Sequence, residues 1–451
     1  MSNLIQNAST YGLAFQATDI TSSKMRKAIT DWYDLYFDDT PGKDEDPCQR
    51  IPYTIVQKLT RAVFSEYKVD TGNDEYARRI AYALSHRHTE AMQMALIGGE
   101  CKLKPIPEKA GFRFVVVPRH NMLVFARDAA GNMTDIGTVE QTSQGNCYYT
   151  LLERRTVDER GYLTIRNRLY KAYNKDSLGQ AVPLGSLPQY ADLQEEYTFT
   201  QPIGTIGLVS LKTSMVNCVD GSTDCVSVYA AAAGLIHNIN RNEAQLCGEF
   251  DRGQSRIVVS QDMLKKSKEG KLELQDNVFV GLDEDPETLG FNIFSPALRD
   301  ASFLARKQEY LRNVENVIGL KRGLLSEVEA AERTATEITS SAGEYNLTIV
   351  DFQRMWEQTV KEAMQLCSIL GQLYKVQGAH QIAEDTVSID WGNGILFDEN
   401  KAWEDYKGMV STGLLRPEIA IGWRFNMPTD TPEDLETIRK KYMPEALEEQ
   451  I

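Results

Sequence analysis

The chain has 451 residues, 42% of them hydrophobic and 9% aromatic, which is enough for two or three cores and excludes wholesale disorder. A net charge of −15 argues against a protein that grips nucleic acid by neutralising many phosphates, because that mechanism needs a Lys/Arg excess along the path. Seven scattered cysteines without a CxxC pair suit a reducing cytoplasm, the polar first residues carry no signal-peptide pattern, and no run of 18 apolar residues is present to span a membrane.

Residues 21–37 open with capping-type Thr21, Ser22 and Ser23 and place Met25, Ile29, Trp32, Tyr33 and Tyr36 on one face, the spacing of an amphipathic helix. After the acidic, turn-rich DDTPGKDEDP, residues 52–66 repeat the pattern with Ile55, Leu59, Val63 and Phe64. A third helix is predicted over 74–97, closed by Gly98-Gly99. From Cys101 the period falls to two, in FRFVVVP, MLVFAR, CYYTLLERRTV, YLTIRNRLYKAY and IGLVSLKT. An antiparallel β region is therefore expected to about Lys212, interrupted by a polar, Pro/Gly-rich stretch over 176–202. Helices followed by such strands make an α+β domain.

A long helix is expected over 224–250, with Cys225, Val228, Tyr229, Ala232, Leu235, Ile236, Ile239, Leu246 and Phe250 on one side. Its partner by length spans 296–318, capped by Ser295, with Pro296 at the first helical position and Leu298, Ala301, Leu304, Ala305, Leu311, Val314 and Ile318 as its stripe. The residues between read as a small α/β insert, with strands at 256–260, 277–280 and 290–294 and a basic stretch carrying Lys265, Lys266, Lys268 and Lys271. Two helices with an insert at the tip have little core of their own. Their stripes, including Tyr229, Leu235, Ile236, Ile239, Leu304, Leu311 and Val314, are expected to need another subunit.

Gly319 and Gly323 then break the chain, and Ser326 with Glu329 has capping-box spacing for a second helix bearing Ile349, Phe352, Trp356, Val360, Ala363, Cys367 and Leu370. Run from Ser326 to Leu370, it would measure roughly 65 Å at 1.5 Å per residue, with Gly343 as a point of interruption. Beyond Gly371 come a strand in TVSIDWGNGILFD and helices at 399–410, 417–424 and 431–441, the last with Thr431 as cap and Pro432 at N1.

No GxxxxGK[ST], GxGxxG, HExxH or GxSxG string occurs, so a nucleotide-driven motor is not indicated, and no catalytic residue, cofactor or metal is assigned. Two weaker patterns have ordinary readings. His86 and His88 lie two apart, on different faces of a helix, although His86 and Glu90 share one. Asp220-Gly221-Ser222-Thr223-Asp224 alternates oxygens like a calcium loop but lacks the later Glu, and Thr223 or Asp224 serves as a helix cap.

The string GLKRGLLSEVEAAERTATEI over 319–338, with Thr334 to Ile338 its most specific part, is followed by a polar helix with a tryptophan. It resembles the portal proteins of tailed bacteriophages, in particular the long-tailed siphophage type. The resemblance implies an α+β portal fold: a wing over 1–223, stem helices over 224–254 and 296–318 with a clip over 255–295, a tunnel loop over 319–332, a long wing helix over 333–378, and a wing strand with a helical crown over 379–451. It also implies a non-enzymatic ring of twelve copies in the virion, at one capsid vertex, made in the host cytoplasm, through which double-stranded DNA is packaged and ejected. The partners it implies are terminase, the head-tail adaptor, the major capsid protein and scaffolding protein. On this resemblance Lys321, Arg322, Ser326, Glu327, Glu329 and Glu332 would border the DNA channel, and Lys265, Lys266, Lys268 and Lys271 would face terminase and adaptor. The residues alone leave two other classes open: a DNA-processing enzyme of the packaging machinery, and a non-viral helical ring scaffold.

Overall fold

The computed structural model describes residues 8–37, 47–253, 256–259, 264–266, 272–274, 291–294, 297–327, 335–392, 399–425, 427–429 and 431–443. It opens with α1 (Ala8–Phe15), α2 (Ser23–Phe37), α3 (Ile51–Val63), a short β1 (Lys68–Asp70), α4 (Glu75–Ser85) and α5 (His88–Gly98). Ser22 starts α2 by accepting a hydrogen bond from the Met25 N–H at 3.1 Å, and Asp74 starts α4 by accepting from Tyr76 and Ala77. The single helix expected over 74–97 is therefore two. The cause is local: Ser85 Oγ donates to Tyr82 O, the His86 ring bonds the same carbonyl, and the His88 ring bonds Ser85 O, so side chains take the backbone acceptors at the break. α1 was not expected; its short, weakly patterned sequence offered no period to read.

Nine strands follow: β2 (Glu100–Glu108), β3 (Gly111–Pro118), β4 (Met122–Arg127), β5 (Met133–Gln144), β6 (Cys147–Val157), β7 (Leu163–Ala172), β8 (Gln180–Val182), β9 (Glu196–Thr198) and β10 (Val209–Lys212). They form a three-stranded sheet in the order β10-β2-β3 and a six-stranded sheet in the order β4-β5-β6-β7-β8, with β9 also on β7, and every pairing is antiparallel. The 176–202 stretch supplies β8 and β9. One face of the small sheet, including Cys101, Leu103, Phe114, Val209 and Leu211, enters the main core. The other turns Glu100, Lys102 and Lys104 toward the large sheet, where Lys104 pairs with Glu153 of β6. That polar inner face is why β2 did not read as a strand.

The remaining elements are α6 (Ala233–Arg252), β11 (Arg256–Val259), β12 (Leu264–Lys266), β13 (Leu272–Leu274), β14 (Phe291–Phe294), α7 (Asp300–Ile318), α8 (Ala335–Leu373), β15 (Ser388–Asp390), α9 (Glu399–Ser411), α10 (Pro417–Arg424) and α11 (Pro432–Tyr442). β15 pairs with β1, bringing the segment after α8 back to the one after α3, while β11 pairs with β14 and β12 with β13. Among the described residues no helix is long and apolar enough to cross a membrane.

Three expectations need correction here. The helix expected from residue 224 begins with a 3₁₀ turn at Ala230–Ala232, because Ser227 and Val228 are spent on hydrogen bonds to Leu96 O and run past the end of α5. Gly99 makes that passage possible: at φ +85°, a Cβ there would lie 2.4 Å from Cys225 O. The helix expected from Pro296 begins at Asp300. Ser326 and Glu327 are not helical, and the long helix is described over Ala335–Leu373, 39 residues or about 58 Å at 1.5 Å per residue, running through Gly343 without a break. The strand expected at 277–280 lies outside the described residues.

The apolar stripe of α8 forms the spine of the main core. Ile349, Phe352, Trp356, Val360, Ala363, Cys367 and Leu370 are all buried, as their spacing predicts. Trp356 is edge-on to Phe64, and its indole N–H donates to Tyr67 Oη at 2.9 Å. α11 keeps the expected cap, with Thr431 and Asp434 bonding each other's backbone N–H groups.

Candidate nucleic-acid interface at the helix connector

α6 and α7 run antiparallel and are pinned along their length. Asn242 Nδ2 donates to Phe303 O at 3.1 Å, Lys307 pairs with Glu243 at 2.9 Å, and Arg299 forks onto both oxygens of Glu249. α7 ends at Gly319, whose φ of +77° opens a left-handed cap. The Leu320 N–H turns back to Glu315 O at 2.8 Å, and the Leu320 side chain is buried. The next four residues make a β-turn. Leu324 N–H donates to Lys321 O at 3.0 Å, and Gly323, with φ +88°, takes the third position, where a positive φ favours glycine. Lys321 and Arg322 are therefore the exposed leading corners of a defined turn.

A carboxylate holds that turn in place. Glu315 has no exposed surface. Its Oε1 accepts from the N–H groups of Leu325 and, at 2.9 Å, Ser326; its Oε2 accepts from Gly323 N–H at 3.2 Å and Ser326 Oγ at 2.7 Å. A carboxylate one turn from a helix C-terminus faces the unfavourable end of the helix dipole, so four converging donors are what make its burial tolerable. Around this latch, Lys58 of α3 donates to Leu324 O, Thr348 of α8 to Gly319 O at 3.4 Å, and the Glu327 N–H to Gln308 of α7 at 2.8 Å. The connector is thus braced by three helices, and its turn presents Lys321 and Arg322 at the surface.

The Ser326 hydroxyl and N–H are both committed to Glu315, and Glu327, the next residue, is not helical. Glu327 is exposed, while Glu329 and Glu332 lie outside the described residues. Sequence reasoning missed Glu315, although the signal was there: it falls between Leu311, Val314 and Ile318, a carboxylate inside an apolar stripe. Lys58 gave no signal.

The residues expected to face a neighbouring subunit need a larger correction. Tyr229 precedes α6, is fully buried and donates its hydroxyl to Trp32 O at 2.8 Å. Ile236, Ile239, Leu311 and Val314 belong to the chain's own main core, and Leu235 is half-buried against it. Only Leu304, 51% exposed, remains outward. The inner halves of both helices join the chain's own main core, so their stripes do not by themselves require a second copy. Lys265 and Lys266 sit in β12, opposite Glu273 and Leu272 of β13; Lys268 and Lys271 lie outside the described residues.

The two metal-like patterns are engaged otherwise. His86 bonds Tyr82 O, and Glu90 pairs with Arg87 at 2.8 Å. In the 220–224 loop the Asn217 amide N–H groups donate to Asp220 Oδ1, Ser222 Oγ and Asp224 O, filling the centre of the oxygen cluster, and Asp224 pairs with Arg127 instead of capping a helix.

Comparison with known proteins places this geometry. A family model described as phage portal protein, SPP1 Gp6-like, matches residues 66–442. Among solved structures, the chain is similar to one titled virion of native gene transfer agent (GTA) particle, at 10% identity and a TM-score of 0.43, covering 89% of this chain and 99% of that one. It is also similar to one titled neck of native GTA particle computed with C12 symmetry, at 12% identity and a TM-score of 0.42, covering 86% and 92%. Curated protein sequences give no match. Because the family match runs unbroken from β1 to the end of α11, through both sheets, the α6–α7 pair and the connector, the chain belongs to the phage portal protein family of the SPP1 Gp6-like type.

Proposed function

We propose that copies of this chain form a ring, twelve by family, which is the channel at one capsid vertex of a virion for packaging and ejecting double-stranded DNA. In this reading the helices and sheets of 1–223, with α8 and β15, are the wing; α6 and α7 are the stem; 255–295 is the clip; the connector from Gly319 borders the lumen; and α9 to α11 are the crown. Lys321 and Arg322 meet DNA phosphates in passing, as isolated contacts on an otherwise acidic protein, so that DNA slides without being held. Glu327, Glu329 and Glu332 extend the acidic wall. Lys265, Lys266, Lys268 and Lys271 face terminase and the head-tail adaptor, with capsid and scaffolding proteins on the outer surface. The family is structural, and the chain acts as a docking ring rather than an enzyme.

The family match across the helix pair and its connector is the single observation that carries this reading. Leu304, not the buried stripe, is the stem position offered to a neighbour. Negative-stain images of the purified chain are expected to show rings with a central hole. Nucleotide hydrolysis by the chain alone would favour a packaging enzyme, and solid or monomeric particles would favour neither ring reading.

A further inference from the structure

The register of β10 on β2 sets Lys212 opposite Glu100 and Ser210 opposite Lys102. Since side chains alternate, all four project from the same face of the small sheet, toward the large one. There they meet Arg119 from the turn before β4, Arg127 at the end of β4, and Asp224. Lys102 Nζ lies 3.5 Å from Glu100 and donates to Ser210 Oγ at 2.8 Å. Arg119 lies 3.3 Å from Glu100 and 3.6 Å from Asp224, and Arg127 reaches Asp224 at 2.6 Å. These three cations share two carboxylates. Lys212, the fourth cation, has no carboxylate within 4 Å among the described residues.

The third carboxylate, Glu362 of α8, accepts the Ser210 N–H at 3.1 Å, and burial pushes its pKa up, toward the neutral form. Lys102, Lys212, Ser210 and Glu362 line a cavity of about 220 Å³, shared with Asn132 and Thr134. Asp128 at the rim directs its oxygens to the backbone and side chain of Asn132. One water needs only ~10–15 Å³ of such space. Buried Lys102, 3.5 Å from Glu100, and half-buried Lys212 thus border a polar void, and the two carboxylates that share its lining, Glu362 and Asp128, are engaged with the Ser210 N–H and with Asn132.

We propose that this cavity is a binding site for a small tetrahedral oxyanion, inorganic phosphate or sulfate, held by the Lys102 and Lys212 ammonium groups with the Ser210 hydroxyl. The ion lies between the two ammonium groups and ties β10 to β2. Lys102 is 1% exposed, so the site is too deep for the backbone of a nucleic acid and takes the free ion. This inference does not rest on ring formation or on DNA transport.

Equilibrium dialysis of the full chain against radiolabelled phosphate tests it, with chloride at matched ionic strength as background. The expected result is saturable binding of about one phosphate per chain and a saturable rise in melting temperature on the order of 1–3 °C. Lys212→Met is expected to weaken binding at least tenfold. Ser210→Ala, which removes one neutral donor, should weaken it less and serves should Lys212→Met not fold. Absence of saturable binding, or equal binding by wild type and both variants, would overturn the site. Displacement of the labelled phosphate by a short DNA duplex would overturn the free-ion assignment in favour of a polymer phosphate.

Discussion

Replacing Glu315 with alanine removes the common acceptor of four donors. Of these, the Ser326 N–H and hydroxyl are buried, the Leu325 N–H is half-buried, and Gly323 is exposed enough to turn to water. Leaving a buried donor without its acceptor costs about 1–3 kcal/mol, so the two Ser326 donors together give roughly 2–6 kcal/mol. The exposed position of the turn lets it escape much of that by opening locally, before the core does. The expected outcome is fast hydrogen exchange at Leu325 and Ser326, with a lesser drop in global melting temperature. Glu315→Gln keeps one carbonyl acceptor but points N–H groups at N–H groups, and should fall between wild type and Glu315→Ala. Ser326→Ala, losing one donor and keeping the N–H bond, should cost about 1 kcal/mol. Unchanged exchange at Leu325 and Ser326 in Glu315→Ala would refute the latch, because nothing else in this account holds those amides.

Trp356→Ala leaves a large void beside Phe64 and strands the Tyr67 hydroxyl; a loss of about 3–5 kcal/mol is expected in denaturant titrations, and a loss below 1 kcal/mol would remove α8 as the core's spine. Glu153 is buried, which alone would raise its pKa, yet Arg155 and Lys104 hold it down to about 2. Its contribution to stability is present above pH ~4.5, the unfolded value, and is lost as pH falls toward 2; Glu153→Gln should flatten that acid limb of the melting curve. His380 offers one ring nitrogen to Gly378 O and the other to Asp74, two acceptors that only the imidazolium satisfies, and both bonds raise its pKa. The stabilisation it gives is complete below pH ~6.5 and lost as pH rises through the folded value; an imidazole titration at or below the unfolded value would contradict this contact.

Periodic apolar faces carried much of the fold in the sequence. The α2, α3 and α8 stripes are buried as their spacing demands, and the Thr431-Pro432-Asp434 start of α11 stands where its residue types put it. The failures share a cause, polar groups used in the interior. β2 hides Glu100, Lys102 and Lys104 in an ionic layer between sheets, so its alternation looks like a surface. Glu315 sits in an apolar stripe that hides its role, and Ser326, its partner, has the spacing of a helix cap. The α4–α5 break depends on serine and histidine side chains reaching carbonyls, which no period reveals. In the sequence Tyr229 and Ile236 belong to a stripe with no visible cover, because helix periodicity states which face is apolar and never what covers it.

The ring reading now depends on contacts between copies that a single chain does not contain. Electron cryomicroscopy of the purified assembly tests it most directly. A closed ring is expected, its lumen bordered by Lys321 and Arg322 and with Leu304 at the contact between neighbouring copies. A ring with that turn on its outer wall, or particles with no lumen, would contradict it.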